Sequence, residues 1–436
     1  MVLRSAILNI ARSRQYQSWF KLGIAFLTGQ GILQALQLIT GILIVRTMPV
    51  EQYAQYTLAF AMQSTALMLV EGGFAGSIIG LVGARVDNKE VIGNYVKTAA
   101  FYRNRLLWIV GILFSVVFFF ITERYEWDWH VRFLLLLSIL LSLIFSAYIN
   151  LYKPVLQVYK KFSLIYRTEI YQALFRLSLV VILFLSIGLI AWQLALLSTF
   201  VLVFRGLSLR ESARKLVLEP QIASSEAKLE MFQYVKPLFP GIIFAAFQGQ
   251  ITILIISFFG NVQAIAEVGA LGRLSQLFFI FNSASMMLLV PYFARQPEHG
   301  LLKKYLSILA FVVLIMSLTI AWVYFYPESL LWIIGKQYTG LSSELLIVVT
   351  TSSIGIIDGA ILNINKSRRW VYWWMPWLWI PGIIVIQILF VLNTDISSTF
   401  NVLLMGLGVA FFSLLTRLNV SFWGFRTMIK EKVIDI

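Results

Sequence analysis

Residues 41–76 read GILIVRTMPVEQYAQYTLAFAMQSTALMLVEGGFAG and contain two apolar runs separated by a short turn. An apolar run that begins near residue 22 ends at Arg46, a short turn follows around Pro49, and a second apolar run continues beyond Glu71. Proline disfavours helical backbone in the residue before it, so the turn separates two helices. A helix needs about 20 apolar residues to cross a bilayer, and both runs reach that length. The stretch therefore predicts a hairpin of two membrane-spanning helices.

The composition of the whole chain also indicates a membrane protein. The chain has 436 residues, of which 59% are hydrophobic and 13% are charged, and its mean hydropathy is +0.83. Soluble domains carry about 25% charged residues and about 45–50% apolar residues, so a soluble globular protein is excluded, and so is a disordered one. The chain has no cysteine and only two histidines, which excludes disulfides, thiolate nucleophiles and Cys/His zinc sites. We expect no cofactor and no bound metal.

Apolar segments of spanning length recur along the chain and predict an all-α polytopic fold with about twelve transmembrane helices. The segments are 22–46, 53–82, 104–122, 131–152, 166–187, 189–205, 236–260, 264–293, 305–326, 341–365, 370–392 and 397–421. The fifth and sixth segments are separated only by a short turn around Gly188. Eleven helices is therefore the competing count.

The basic residues are distributed unevenly between alternate loops. Residues within a few positions of a segment end are counted with the adjacent loop. With the first residues placed on the cytoplasmic side, twenty-nine Lys and Arg residues then fall in cytoplasmic segments, four in outer loops and two, Arg176 and Arg273, deep within apolar segments. This asymmetry follows the positive-inside rule and predicts twelve helices with both termini cytoplasmic. The formal net charge of +15 is then a signal of membrane topology, and we expect no nucleic-acid partner.

The longest polar stretch divides the chain into two halves of six predicted helices each. We predict a basic cytoplasmic segment, a first lobe, a cytoplasmic linker, a second lobe and a cytoplasmic tail. Their boundaries are 1–21, 22–205, 206–235, 236–421 and 422–436. The first of these lacks the compact apolar run and the small-residue cleavage site of a secretory signal. Repeated halves are common in secondary transporters, whose substrate site lies between them.

The hairpin of residues 41–76 resembles the first hairpin of the oligosaccharide flippase (Wzx-type polysaccharide exporter) family. That family has a helix ending in Arg, a turn with Pro and an acidic residue, a small–aromatic pair, and an acidic residue beside glycines. The matching residues here are Arg46, Pro49, Glu51, Ala54, Tyr56 and Glu71. Residues 260–273 are similar to the matching element of the second half. The chain departs from the family pattern at Ala54, where Gly is usual, and at Glu71, where Asp is commoner.

The resemblance implies the fold of the multidrug/oligosaccharidyl-lipid/polysaccharide exporter superfamily, in which two six-helix lobes enclose a central cavity that opens alternately to each face. It implies a flippase, not an enzyme, that moves a polyprenyl-diphosphate-linked oligosaccharide across the inner membrane of a prokaryote during polysaccharide biosynthesis, for example of O-antigen. The lipid bilayer and the lipid-linked glycan are the implied partners, and polysaccharide assembly proteins are candidate partners. The chain has no Walker A sequence for ATP hydrolysis.

Four charged residues lie deep within predicted helices: Arg176, Arg273, Glu71 and Asp358. A charge at mid-bilayer costs roughly 2.5–3.5 kcal/mol on insertion scales, so each of them must face protein or water. Arg273 lies about 14 Å into its segment at 1.5 Å per residue. A guanidinium stays charged in a low dielectric and binds phosphate oxygens in a bidentate fork, so both arginines are candidate ligands for a diphosphate. An ion pair with Glu169, bridged by Gln172, is the alternative for Arg176.

Other candidate residues follow from the chemistry of a glycan head group. Amides hydrogen-bond sugar hydroxyls, and we expect substrate binding by Gln30, Gln34, Gln37, Gln248 and Gln276. Arg46, at the outer end of the first helix, is a candidate for release of the head group, with an ordinary snorkelling anchor as the alternative. Glu71 and Asp358 are candidates for coupling transport to H⁺ or Na⁺. The membrane potential acting on the charged head group is the other candidate driving force.

Two other functions compete with the flippase. A cation-coupled multidrug antiporter of the same superfamily should have acidic and aromatic cavity walls, whereas the first predicted helix carries amides and the predicted helices contain two arginines. A membrane glycosyltransferase or polymerase needs large outer loops to hold its reaction, and the predicted outer loops are short. We therefore expect an anionic, lipid-linked substrate.

Overall fold

A computed structural model of the protein describes residues 29, 31–83, 88–186, 188–298 and 300–434, so the predicted segment 1–21 lies outside the described residues. The described residues form helices joined by turns and loops, and no β-strand occurs among them. The helices are α1 (Gly31–Thr47), α2 (Val50–Glu71), α3 (Phe74–Val82), α4 (Lys89–Glu123), α5 (Trp129–Val158), α6 (Phe162–Ser186), α7 (Ala191–Arg214), α8 (Ser225–Val235), α9 (Phe239–Gln248), α10 (Ile251–Phe259), α11 (Val262–Ser275), α12 (Phe279–Ala294), α13 (Leu301–Phe325), α14 (Glu328–Ile334), α15 (Ser342–Ser367), α16 (Trp374–Asn393) and α17 (Thr399–Ile434).

The described helices account for the predicted spanning segments. Nine helical segments are long and apolar enough to cross a membrane, and Ser225–Gln248 with α10 forms a bent pair that makes a tenth. The two remaining predicted segments coincide with α1 and with α11 followed by α12. The predicted all-α polytopic fold is therefore confirmed. At the turn between the fifth and sixth predicted segments, Gly188 has a φ of 83°, which glycine adopts readily. The helices α6 and α7 on either side are separate, as a count of twelve helices requires.

Polar residues fix where several helices begin. The side chain of Asn88 accepts hydrogen bonds from the Glu90 and Val91 amides at the start of α4. Asn261 accepts one from the Ala264 amide at the start of α11. Such N-caps satisfy amides that have no partner within the helix. Pro49 immediately precedes α2, at the turn that the sequence predicts.

The loops lie at two ends of the bundle. Among the described residues, the hairpin end carries the connecting residues 48–49, 124–128, 188–190, 260–261, 326–341 and 394–398. The linker end carries the described connecting residues 83, 88, 159–161, 215–224, 295–298, 300 and 368–373. Under the predicted topology the hairpin end is the outer end and the linker end is the cytoplasmic end.

The apolar core differs between these two ends. The largest cluster of buried side chains reaches the hairpin end and includes residues of both halves, for example Tyr53 and Met48 with Ile265 and Tyr338. Two separate clusters lie toward the linker end. One contains buried residues of α3 to α8, and the other contains buried residues of α12, α13, α15 and α17. The two halves are thus held together by a shared core at the hairpin end and have separate cores at the linker end.

The predicted linker 206–235 contains the end of α7, the loop 215–224 and α8. The helix α8 packs on α3 and α4 of the first half. The Tyr95 hydroxyl donates to the Glu230 carboxylate at 2.5 Å, and the Tyr102 hydroxyl donates to the Lys228 carbonyl at 3.0 Å. The linker is therefore fixed to the first half over most of its length. At the other end of the chain, α17 continues to Ile434 through the predicted tail.

We expect Gly93→Ala to detach the linker from α4. A Cβ at Gly93 would lie 1.9 Å from the backbone oxygen of Leu218, and backbone cannot move aside as a flexible side chain can. Overpacking of this kind costs about 1–3 kcal/mol, so the melting temperature of the detergent-solubilised protein should fall. Gly76→Ala is the matched control, because a Cβ at that helical position would meet nothing within 4 Å. Equal melting temperatures for the two variants would contradict this packing.

Candidate functional site

A cavity of about 470 Å³ lies between the two halves. From the first half, α2 contributes to its wall, and from the second half the junction of α9 and α10 contributes together with α11, α15 and α17. The described lining residues are Tyr53, Thr57, Phe60, Ser64, Gly249, Gln250, Thr252, Ile253, Val268, Gly269, Gly272, Arg273, Ser275, Gln276, Val348, Thr351, Ser352, Leu403 and Gly406. We call this space the central cavity.

Local geometry explains why these residues meet there. On α2, the residues Tyr53, Thr57, Phe60 and Ser64 recur at intervals of three and four and therefore share one helix face. On the opposite side, the chain bends by 57° between Gln248 and α10. Irregular backbone is tolerated at membrane depth where it lies inside protein or lines a wet cavity, so the bend is consistent with a polar space at this level.

Arg273 projects from α11 into the central cavity and is half-buried. Its guanidinium carbon lies 5.3 Å from the centroid of the Phe60 ring, a cation–π distance. Gly41 of α1 leaves room for the Arg273 stem, since a Cβ there would lie 3.3 Å from Arg273 Cδ. Among the described residues, no ion pair within 4.0 Å involves Arg273. The tyrosines Tyr53 and Tyr56 lie close enough to interact with it electrostatically.

The charge of the central cavity follows from this arrangement. Arg273 is the charged member of the described lining, which otherwise consists of hydroxyl, amide, glycine and apolar residues. A positive charge in a space of reduced dielectric attracts an anion more strongly than it would in bulk water. The hydroxyls and amides can share hydrogen bonds with a polar group beside that anion. The cavity is thus suited to an anionic, hydroxyl-rich ligand.

Arg176 lies outside the described lining of the cavity. Its Nη2 donates to the Tyr56 hydroxyl at 2.6 Å, so a residue of α6 reaches the helix that forms the cavity wall. The alternative ion pair with Glu169 does not form. Glu169 instead pairs with Arg205 at 2.5 Å and Lys153 at 3.1 Å, and Gln172 accepts from Arg205 at 2.8 Å.

The two predicted coupling carboxylates also lie outside the described cavity lining. Glu71, the last residue of α2, accepts a hydrogen bond from the Asn150 side chain of α5. Asp358 of α15 lies opposite Arg417 of α17, with 3.8 Å between Oδ1 and Nε. Each carboxylate therefore has its neighbour within its own half.

Of the predicted glutamines and Arg46, only some lie at the central cavity. Gln276 lines the central cavity, whereas Gln248 accepts a hydrogen bond from Gln387 of α16 at 2.9 Å. Gln34 and Gln37 of α1 do not belong to the described lining. Gln30 lies outside the described residues. Arg46 is exposed at the hairpin end, and its guanidinium carbon lies 4.9 Å from the Trp332 ring centroid.

Several residues that line the cavity are not predicted from the sequence. Tyr53, Phe60 and Gln250 are examples, although the polar and aromatic spacing along α2 is visible in the sequence. Neither Arg205 nor Arg417 is among the predicted site residues, although the structure places them within α7 and α17 and pairs them with the carboxylates of Glu169 and Asp358. Each pair joins two different helices, and hydropathy along one helix carries no signal for such a contact.

Two six-helix halves around a polar central cavity form an architecture that is common among membrane proteins with internal repeats. The structure is similar to one described as lipid II flippase MurJ in an inward closed conformation, with a TM-score of 0.68 and 14% identity over 95% of this chain and 93% of that one. It is similar to an inward-facing multidrug resistance MATE family transporter of the MOP superfamily, with a TM-score of 0.58 and 14% identity over 89% and 94% of the two chains.

A eukaryotic MATE transporter, AtDTX14, aligns with a TM-score of 0.53 and 12% identity over 94% of this chain and 95% of that one. No protein-family model and no curated protein sequence matches the chain. At these identities the likeness is one of fold. The chain is a multi-pass membrane protein with the fold shared by this flippase and these two MATE transporters, and none of the three similar proteins is described as an enzyme.

We expect Glu169→Gln to destabilise the first half. The Arg205 side chain is only 13% exposed and would lose its carboxylate partner, and leaving a buried charge without its partner costs about 3–5 kcal/mol. The melting temperature in detergent should fall by several degrees. Glu211→Gln is the matched control, because the Glu211–Lys215 pair is 73% exposed on both sides and such pairs contribute about 0–1 kcal/mol. A similar fall in both variants would show that Glu169 is not a buried counter-charge.

Proposed function

We propose that the protein is a flippase that carries a polyprenyl-diphosphate-linked oligosaccharide from the cytoplasmic to the outer leaflet by alternating access. The observation that carries this proposal is Arg273, which lines a polar cavity between the halves without an acidic partner among the described residues. The fold shared with a lipid II flippase supports the same class of function. The resemblance of residues 41–76 to Wzx-type exporters supports a glycan as the cargo.

The chemistry of the cargo matches that of the cavity. A diphosphate brings two to three negative charges beside a polar sugar, and a guanidinium binds phosphate oxygens in a planar fork while remaining charged. The side chains of Gln250, Gln276, Thr252 and Thr351 offer hydrogen bonds to sugar hydroxyls. The polyprenyl tail can stay in the bilayer, since only the head group must avoid hydrocarbon.

The other predicted residues take secondary roles in this proposal. Arg176, held by Tyr56 behind the cavity wall, is a second cation for the diphosphate once the wall moves. Arg46 is exposed at the hairpin end, where the head group would be released. Of the two coupling carboxylates, Glu71 accepts a bond from a neutral amide and Asp358 faces an arginine at 3.8 Å, so both remain candidates for H⁺ or Na⁺ coupling. The proposed location is the inner membrane of a prokaryote, with both termini cytoplasmic and polysaccharide assembly proteins as partners.

A cation-coupled multidrug antiporter is the second candidate function. The fold is shared with MATE transporters, and the aromatic rings of Tyr53 and Phe60 line the cavity as a drug site would require. A site for cationic drugs should also place a carboxylate in the cavity. None occurs in the described lining, where the charged side chain is an arginine. This difference in sign is the reason for preferring the anionic cargo.

We expect Arg273→Gln to abolish transport while the protein remains folded and inserted. The purified full-length protein is reconstituted into vesicles containing a polyprenyl diphosphate that carries an NBD-labelled N-acetylglucosamine, and leaflet exchange is followed by quenching with dithionite. Each lost charge-assisted hydrogen bond contributes about 1.5–3 kcal/mol, so the initial rate should fall at least about tenfold. Arg273→Lys should retain part of the rate, because it keeps the charge without the fork.

Lys336→Gln is the matched control, since it removes one positive charge from an exposed position outside the cavity lining. It should exchange the probe at the wild-type rate. A wild-type rate for Arg273→Gln would remove Arg273 from the mechanism. Vesicles that accumulate ethidium under a pH or Na⁺ gradient, and leave the lipid probe in place, would favour the antiporter.

A further inference from the structure

At the hairpin end, side chains of the first half bond to the main chain of the second half. The Arg124 guanidinium, just after α4, donates to the carbonyls of Phe258 and Phe259. The hydroxyl of the next residue, Tyr125, donates to the Ser257 carbonyl at 2.6 Å. The three acceptors are the last residues of α10. One short connection of the first half thus covers the end of a helix of the second half.

The reciprocal contact is also present. The Gln337 side chain of the second half donates from Nε2 to the Val45 carbonyl at 2.8 Å and to the Met48 carbonyl at 3.5 Å, at the end of α1. The neighbouring Trp332 ring lies under the guanidinium of Arg46 at 4.9 Å. Here a connection of the second half covers the end of a helix of the first half.

The two contacts are equivalent under the internal repeat. Arg124 and Tyr125 belong to the connection between the third and fourth spans of the first half, and Gln337 belongs to the connection between the third and fourth spans of the second half. Their acceptors end the first span of the opposite half in both cases. The same contact is therefore made twice, with donor and acceptor exchanged between the halves. An accidental surface contact would have no reason to recur at the equivalent place.

Main-chain carbonyls at a helix end are suitable acceptors for a contact that opens and closes. The last carbonyls of a helix have no partner within the helix and carry a partial negative charge, which favours donors and cations. When such a contact opens, water entering between the halves satisfies both the carbonyl and the side chain, and Arg124 is already exposed, so no buried charge is left unpaired. A carboxylate in the place of these carbonyls would hold Arg124 more strongly and release it less readily.

The contacts are continuous with the wall of the central cavity. Tyr338, next to Gln337, is 1% exposed and belongs to the same buried cluster as Tyr53. Burial raises the pKa of Tyr338, so its hydroxyl stays neutral in this cluster. Tyr53 is fully buried and also lines the cavity. Behind the two contacts the cavity is therefore closed by packed side chains.

We propose that the two contacts, one made by Arg124 and Tyr125 and the other by Gln337, form a paired latch that keeps the hairpin end closed. Release of both contacts opens the central cavity toward the hairpin end. The latch consists of contacts between the two halves and involves no cargo. Its test is therefore independent of the proposed lipid-linked substrate.

The test measures distances at both ends of the protein in bilayers without substrate. The chain has no cysteine, so thiol-reactive spin labels attach only to the cysteines that are introduced. One pair of exposed positions, His130→Cys and Glu328→Cys, reports on the hairpin end, and another, Glu90→Cys and Lys303→Cys, reports on the linker end. Double electron–electron resonance gives the distance distribution of each pair in the otherwise wild-type protein and in Arg124→Gln with Gln337→Ala.

The latch predicts one dominant short distance at the hairpin end of the wild type. In the double variant the ratio of open to closed hairpin ends should rise about tenfold or more, and the linker-end distance should shorten. Tyr125→Phe, which removes a single bond, should give a smaller shift in the same direction. Arg132→Gln is the control, because among the described residues no bond from its side chain to the second half is seen, and it should leave both distributions unchanged.

Two results would overturn the latch. Unchanged distributions in the double variant would show that the shared core alone closes the hairpin end. Broadening at both ends, with a lower melting temperature, would show that these residues stabilise the fold without controlling opening. Transport of the lipid probe by the wild type is measured separately. Its absence would refute the proposed function and leave the latch result intact.

Discussion

Arg273 lies within the membrane-spanning part of the molecule and has no carboxylate partner among the described residues, and the arrangement of the two halves follows from this unpaired charge. A charge at mid-bilayer costs roughly 2.5–3.5 kcal/mol even on insertion scales, so Arg273 needs a polar environment. The described residues provide it as a cavity walled by hydroxyls, amides and aromatic faces. Such a cavity exists only if the two halves pack against each other at one end and leave a space between them elsewhere. The bend before α10 and the absence of a side chain at Gly41 both serve this requirement.

Two other arginines within the helices are paired with a carboxylate of their own half. Glu169 pairs with Arg205 inside the first half, and Asp358 faces Arg417 inside the second half. Both arginines lie on the last spanning helix of their half, and no ion pair among the described residues joins the two halves. These ion pairs thus connect helices within each half, while Arg273, which has no carboxylate partner among the described residues, faces the space between the halves. Rigid units of this kind can rotate against each other without separating a buried ion pair.

The sequence predicts the fold well because hydropathy and loop charge are local properties. The turn at Pro49, the break at Gly188 and the depth of Arg273 can all be read from consecutive residues, and the structure has helices where these features predict them. The partners of individual side chains cannot be read in this way. Gln248 faces Gln387 rather than the cavity, and Arg176 reaches Tyr56 rather than Glu169, because the packing of distant helices decides which face of each helix meets which neighbour. The roles assigned to these residues remain predictions.

The position of α10 connects the cavity with the hairpin end. This helix has nine residues, about 14 Å at 1.5 Å per residue, and Thr252 and Ile253 near its start line the central cavity. Its last residues carry the carbonyls that accept from Arg124 and Tyr125. A ligand that displaces Thr252 therefore moves the same short helix that holds half of the latch. A rigid element that two distant sites both contact can carry coupling between them, and α10 contacts both the cavity and the latch. The bend that precedes it, between Gln248 and Ile251, allows α10 to move while α8 stays fixed to the first half.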